Sequence, residues 1–331
     1  MIEPLPLAEI WRGPLLESLH RGHVVIADDR GIRAAWGDPE AMILPRSSCK
    51  MVQALPLLTS GAADASGLTA RHLALACASH NGADIHIDLV ADWLAALGLE
   101  EDDFRCGPQV PRDEAVHRRL LCSDTQPGQI HNNCSGKHTG FLTLAKHLGA
   151  GPDYVEIGHP VQAAVQEAFA ELTGADGQTW AVDGCSAPNF ACTVSELARA
   201  MAWFATAGHR GDLQSSAAAR LTQAMMTHPE MVAGEGRACT ELMRAVQGQA
   251  AIKTGAEGVF VAILPGKGLG VALKVADGAT RASECAMAAV LVHLGVLPAE
   301  HPVAVKYRSP RITNRRGIET GFMRPASGFP G

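Results

Sequence analysis

The chain lacks a long apolar run, and no segment approaches the ~20 consecutive apolar residues a helix needs to cross a bilayer, so no membrane partner is expected. It also lacks a basic excess: Lys and Arg number 28 against 34 Asp and Glu, giving a net charge of −6 and a pI near 6.1. That balance gives no electrostatic reason to expect a nucleic acid or an anionic membrane. The start, "MIEPLPLAEIWRG", has neither a basic n-region nor an apolar h-region. Export is therefore not signalled, and the cytoplasm is the expected location. Aromatic residues are scarce at 5%, which points to small side chains and close helix packing. Nine cysteines (Cys49, Cys77, Cys106, Cys122, Cys134, Cys185, Cys192, Cys239 and Cys285) form an odd set without a disulfide-framework spacing. They read as reduced thiols, some of them candidates for a metal. Internal repeats and low-complexity tracts are missing as well.

What is present fits a soluble globular protein: 331 residues, 47% apolar and 19% charged, enough to bury a large core in one domain or two lobes. "HVVIADDRGIRAAWG" sets two apolar runs around Asp-Asp-Arg-Gly, a hairpin signal. "GVFVAILPGKGLGVALKVADG" repeats it with Pro-Gly-Lys-Gly as the turn. Residues 280 to 297 read as a buried helix capped by Thr280 or Ser283, and "PVAVKY" as a short final strand. The Gly-, Pro- and Arg-rich tail "SPRITNRRGIETGFMRPASGFPG" is expected to be loose at its end. Between the hairpins, six segments from "ARHLALACASH" to "QSSAAARLTQAMMTHP" carry apolar residues at three- and four-residue spacing, the helical period. The pattern predicts an α+β protein: an antiparallel sheet built from both chain ends, with flanking helices and an inserted helical lobe. The expected division is residues 1–75 and 245–331 for the α/β lobe and 76–244 for the helical lobe of one compact two-lobed enzyme domain.

"LPRSSCKMVQALPLL" (residues 44 to 58) predicts a helix with Pro45 at its first position. Ser47 and Lys50 are three apart and share a helical face, whereas Ser48 and Lys50 do not. A serine becomes a nucleophile when a neutral lysine takes its proton, and Arg46 or a second lysine would lower the pKa of Lys50 towards that state. Ser-x-x-Lys is common, but Ser79-x-Asn81 follows and Lys253-Thr254-Gly255 precedes a strand signal. That order is the motif set of serine β-lactamases and penicillin-binding proteins. The bland readings are a capped helix start, a turn and a strand entry.

Two polar loops, "HNNCSGKHTGF" and "DGCSAPNFACT", abut helices. Cys134 and Cys185 are the natural thiol pair, with Lys137, His138, His131 and Cys192 as further candidate donors. Thiolates bind zinc, which takes four ligands when tetrahedral. Cys-x-x-Lys is a weak zinc spacing, because a lysine must first lose its proton to ligate. Buried free thiols and helix-capping loops are the competing reading.

Together "PRSSCK", "ASHNG", "NNCSGKHTGF", "DGCSAPNFA", "VAGEGR" and "KTGAEG" resemble the rhizobial-type (class 3, asparaginase II family) L-asparaginases over essentially the whole chain. The resemblance implies a serine β-lactamase-like fold, a homodimer, and hydrolysis of L-asparagine to L-aspartate and ammonia. It implies two serine–lysine pairs, Ser47 with Lys50 and Ser79 with Lys253. It further implies a zinc ion (Zn2+) on Cys134, Lys137 and Cys185 that assists substrate binding. Arg46, His80, Asn81, His138, Asp183 and Gly255 lie in matching motifs and are the expected substrate-binding residues; of these, Arg46, His138 and Asp183 are expected to line the pocket or to support the metal shell. One position departs: before Thr240 the family pattern has an acidic residue, and here stands Cys239. The competing readings are a β-lactamase or penicillin-binding-like acyl hydrolase, which the missing export signal disfavours, and a non-catalytic binder of zinc or an amino acid.

Overall fold

A computed structural model describes residues 2–330. The backbone divides into two compact units. One comprises residues 1–48, 192–206 and 241–331, the other residues 49–191 and 207–240.

The first unit is an antiparallel sheet of eight strands. Their spatial order is Arg311–Thr313, Glu319–Pro325, Leu5–Arg12, Leu15–Asp28, Leu269–Val275, Val259–Leu264 and Ala251–Thr254, with Gly31–Trp36 also paired to Leu15–Asp28. Both expected hairpins are present, so the α+β reading with a sheet built from both chain ends holds. Val259–Leu264 is buried at all six positions, which is why it reads as a continuous apolar run and not as an alternation. Two helices pack on the sheet, Val194–Ala205 and Thr280–His293. Thr193 starts the first with a reciprocal cap: its hydroxyl accepts from the Glu196 N–H, and the Glu196 carboxylate accepts from the Thr193 N–H. Gly270 lets this helix approach the sheet, since a Cβ there would lie 2.1 Å from the Ala202 nitrogen.

Three local expectations are corrected in this unit. "PVAVKY" is not a strand but part of the helix Pro302–Arg308, with Pro302 in its first turn and the His301 ring accepting from the Val303 N–H. The tail is not loose: Glu319–Pro325 pairs with Leu5–Arg12, Trp11 stacks on Phe322, and Arg324 bridges to Glu9 at 2.9 Å. Of the tail, only Gly331 lies outside the described residues. Thr280 and Ser283 are not caps; Ala279 precedes the helix without a side-chain cap, and Ser283 donates to the Thr280 carbonyl inside it.

The second unit is helical apart from the short hairpin Trp180–Val182 with Pro188–Phe190. Its centre is the helix Ser135–His147, buried at every position from Ser135 to Ala145. A helix apolar or small all round belongs inside a core. Ala70–Ala76, Asp84–Leu97 and Pro160–Thr173 surround it. Gly136 permits the contact with Ala70–Ala76: a Cβ there would meet the Leu75 carbonyl oxygen at 2.5 Å.

The units divide at Ser48 and Thr240, not at residues 75 and 244, and residues 192–206 return to the sheet unit. Burial explains the shift. The short helices Lys50–Gln53 and Leu55–Thr59 pack on Pro160–Thr173 and Leu213–Thr227, whereas Val194–Ala205 covers the sheet. The single helix expected after Pro45 is three pieces: a 3₁₀ turn Arg46–Cys49, then Lys50–Gln53 and Leu55–Thr59. Pro56 removes an N–H from what would otherwise be a helix interior.

Candidate active site

In the sheet unit, Arg46 opens the 3₁₀ turn with a left-handed backbone, φ 54°. That region is strained for a residue with a Cβ and recurs at functional sites. Ser47 follows, half-buried. Ser48 is fully buried and donates its hydroxyl to the Pro45 carbonyl at 2.7 Å, so it closes the turn. Gly255 fits against the same turn: a Cβ there would come 2.7 Å from the Pro45 oxygen and 3.2 Å from the Ser48 nitrogen. The Lys-Thr-Gly strand therefore passes along the serine-bearing turn, and glycine is what allows it. Lys253 is 1% exposed, and its Nζ donates to the Thr254 carbonyl at 2.7 Å.

In the helical unit, Lys50 begins the helix Lys50–Gln53 and is fully buried. Its Nζ donates to the Ala78 carbonyl, to Ser79 Oγ at 3.2 Å and to Cys134 Sγ at 3.1 Å. The lysine that reaches Ser79 inside this unit is thus Lys50, the residue expected from sequence to serve Ser47. Ser79 and Asn81 sit on an extended loop held like a strand, their N–H groups donating to the Val232 and Ala233 carbonyls at 2.9 Å. Gly234, φ 104°, makes room for Asn81, whose Oδ1 a Cβ would approach to 2.3 Å. Arg237 donates to the Ser79 carbonyl at 3.3 Å.

His80 is buried, with both ring nitrogens engaged. Nδ1 accepts from the Gly82 N–H, which leaves Nε2–H to donate to Ser135 Oγ at 2.9 Å. The ring stacks on His86 with centroids 4.8 Å apart. Burial, then the neighbouring cations, holds His80 well below the usual imidazole range, so it stays neutral. Its place is under the start of the helix Ser135–His147, where it holds Ser135 by its ring and the Asn133 carbonyl by its N–H.

The thiol pair lies in the same unit. Cys185 stands on the loop between strands Trp180–Val182 and Pro188–Phe190. That loop is pinned by the Asp183 N–H to the Ala187 carbonyl and by Asp183 Oδ1 accepting from the Gly184 N–H at 2.7 Å. Cys134 donates its thiol to Asn133 Oδ1 at 2.9 Å and keeps its proton, while the neighbouring Cys134 and the Lys137 charge push the Cys185 thiol towards the thiolate. Lys137 donates to Cys185 Sγ at 3.1 Å and lies 5.3 Å from the Phe141 ring centroid. Burial alone would lower its pKa, but the sulfurs of Cys185 and Cys134 and the Asp183 carboxylate raise it. His138 is fully buried; burial pushes its pKa down to about 4. Its Nδ1 meets the Tyr154 hydroxyl at 2.9 Å, and Nε2 has no partner at full hydrogen-bond geometry, although the ring lies close enough to stabilise the Cys185 thiolate.

Among the described residues no group of three or more His, Cys, Asp or Glu is placed to hold a metal. A zinc ion here needs Lys137 as its third protein donor. A buried cysteine pushed towards the thiolate and held against Lys137, with a second buried thiol at Cys134 and the orphaned Nε2 of the adjacent His138, fits such an ion once Lys137 gives up its proton.

Lys50, Ser79, His80, Asn81, Cys134, Lys137, His138, Asp183 and Cys185 all belong to the helical unit; Arg46, Ser47, Lys253 and Gly255 belong to the sheet unit. The sequence pattern assigned nothing to Tyr154, Arg237, Asn133 or His86. Arg237 and Gly234 lie in "VAGEGR", a stretch with a family likeness but no readable chemistry of its own. Tyr154, one of two tyrosines, sits in a loop without any pattern.

No helix among the described residues is long and apolar enough to cross a membrane. No curated protein matches the chain. Among solved structures it is similar to Mglu in its native form, at 16% identity and a TM-score of 0.44, covering 85% of this chain and 66% of that one, just under two thirds of its length. It is also similar to a β-lactamase from Mycobacterium bovis, at 15% identity and a TM-score of 0.43, covering 89% and 97%. At TM-scores below 0.5 these likenesses do not decide the fold. The sequence comparison does decide the family: the L-asparaginase II model matches residues 8–325, and the chain belongs to that family.

Proposed function

We propose that the protein is an L-asparaginase that hydrolyses the side-chain amide of L-asparagine to L-aspartate and ammonia through a serine acyl-enzyme. The observation that carries this reading is the family match over residues 8–325. The buried contact of Lys50 Nζ with Ser79 Oγ supports the serine–lysine chemistry.

In the proposed mechanism Ser47, deprotonated by Lys50, attacks the amide carbon of asparagine. Its proton passes through the second pair, Ser79 and Lys253, to the departing amide nitrogen, and ammonia leaves. Water then attacks the aspartyl ester, returns a proton to the pair and frees Ser47 with L-aspartate. A lysine serves as the base only as its neutral amine. Arg46, with its fixed backbone, suits the substrate α-carboxylate. Asn81, His138, Asp183 and Gly255 remain the proposed lining residues, and His80 supports them from beneath. Cys134, Lys137 and Cys185 would hold zinc. That ion would supply a Lewis-acidic anchor for a polar group of the substrate. The remaining proposals are a homodimer, checked by light scattering, and a cytoplasmic enzyme.

The test is ammonia release from asparagine, glutamine and simple amides beside a chromogenic β-lactam assay. Turnover of asparagine without β-lactam opening is expected. β-Lactam turnover without ammonia release would favour the penicillin-binding-like alternative.

A further inference from the structure

In the helical unit, the loop of residues 79–82 is held between two other segments. On one side the Ser79 and Asn81 N–H groups donate to the Val232 and Ala233 carbonyls, and Gly234 makes room for Asn81. On the other, the Asn81 carbonyl accepts from the Asp113 N–H at 2.8 Å. Pro111 packs there on Gly82, where an added Cβ would meet the Pro111 Cβ at 2.8 Å. Each flank brings one arginine: Arg237 follows Gly234 and Gly236, and Arg112 stands between Pro111 and Asp113.

Among the described residues neither guanidinium is ion-paired. Arg237 uses one of its N–H groups on the Ser79 carbonyl, at 3.3 Å. The Arg112 guanidinium has no hydrogen-bond partner among the described residues and stays accessible to solvent. The next residue, Asp113, turns its carboxylate to the Ala115 and Val116 N–H groups as a helix cap. Partial burial and the Arg237 charge lower the Arg112 pKa, and no carboxylate offsets them. Like charges brought together repel, and an anion between them turns that repulsion into attraction. The guanidinium fork matches a carboxylate with two parallel hydrogen bonds.

We infer that Arg112 and Arg237 form a carboxylate-binding pair on the Ser79 loop, and that it takes the α-carboxylate of the amino-acid substrate. The identity of the ligand rests on the asparaginase reading; the anion site rests on the two arginines. Arg237 is tied to the serine loop itself, whereas Arg112 touches no group of the proposed acyl-transfer steps. Arg112 is therefore the cleaner position to test.

Titration calorimetry with L-aspartate, beside steady-state kinetics on L-asparagine, tests the pair in the intact chain. Arg112→Gln should weaken aspartate binding and raise KM for asparagine roughly tenfold each, the change falling on KM and not on kcat. Arg112→Lys, which keeps the charge, should recover most of both. Arg237→Gln should lose more and lower kcat as well, because it also releases the Ser79 carbonyl. Wild-type aspartate affinity and KM in Arg112→Gln overturn the inference. So does a fall in kcat with KM unchanged, which would make the arginines supports of the loop. Inorganic phosphate should compete with asparagine in the wild type and lose potency in Arg112→Gln. Phosphate that instead lowers kcat at saturating asparagine marks a free oxyanion as the occupant and overturns the substrate assignment. If no amide is turned over, the asparaginase reading fails, and calorimetry still decides the anion site. Aspartate or phosphate bound more weakly by Arg112→Gln upholds it, and a wild type that binds neither overturns it.

Discussion

Lys50 and Lys137 invite comparison: both are buried in the helical unit, and each places Nζ 3.1 Å from a cysteine sulfur. Their remaining neighbours separate them. Lys50 also reaches a serine hydroxyl and a carbonyl, so it is wired to a group that can exchange a proton. Lys137 has a sulfur, a carboxylate and an aromatic ring, which favour a fixed charge or, with the proton gone, a metal bond. The same residue type is thus assigned two tasks by its partners and not by its burial.

The sharpest way to break this contrast is to remove each amine. Lys50→Met is expected to lower kcat for asparagine by about a thousandfold while zinc is retained. Lys137→Met should reduce zinc below about a tenth of an equivalent per chain and cost less than about tenfold in kcat. Steady-state kinetics and metal analysis check both, and reversed outcomes would exchange the two roles. The next effect concerns the packing that both lysines share. Gly136→Ala, whose Cβ would meet the Leu75 carbonyl at 2.5 Å, should lose roughly 1–3 kcal/mol in urea unfolding.

How much of this was legible in sequence follows physical lines. Hairpins and helices whose signals are local, such as 259–275 and 135–147, could be read from period and turn residues. "PVAVKY" could not: its alternation of β-branched residues mimics a strand, and the helix is settled by its cap and by packing on Thr280–His293. The tail strand was hidden because its partner, Leu5–Arg12, lies some three hundred residues away in sequence. In the site, helical spacing singled out Ser47 and Lys50, whereas Cys134 and Cys185 stood out by their polar loops and the family likeness. The contact of Lys50 with Cys134 joins residues 84 positions apart, and no local pattern encodes it. Nor does a motif mark Tyr154, whose hydroxyl meets His138 Nδ1 across 16 positions of sequence.

Smaller effects extend the comparison to the groups around the two lysines. His80, one of whose neighbouring cations is Lys50, and His138, beside Lys137, both have lowered pKa values, as do His72, His86 and His131. A histidine kept neutral in the fold takes up its proton only on unfolding. Stability should therefore be complete above the unfolded value near 6.5 and fall as pH drops below it, with the His138 contribution levelling off only near 4. Thermal midpoints from pH 7.5 to 5 check this, and a flat profile would contradict it. The smallest effect is at Ser48, whose hydroxyl only closes its own turn. Ser48→Ala should cost about 1 kcal/mol in stability and leave asparagine turnover nearly intact, whereas Ser47→Ala is expected to abolish it.

The most direct measurement is peptide mapping of protein quenched in acid during asparagine turnover. An aspartyl adduct on Ser47 is the predicted result. An adduct on Ser79, or ammonia release with no serine ever modified, would contradict the account.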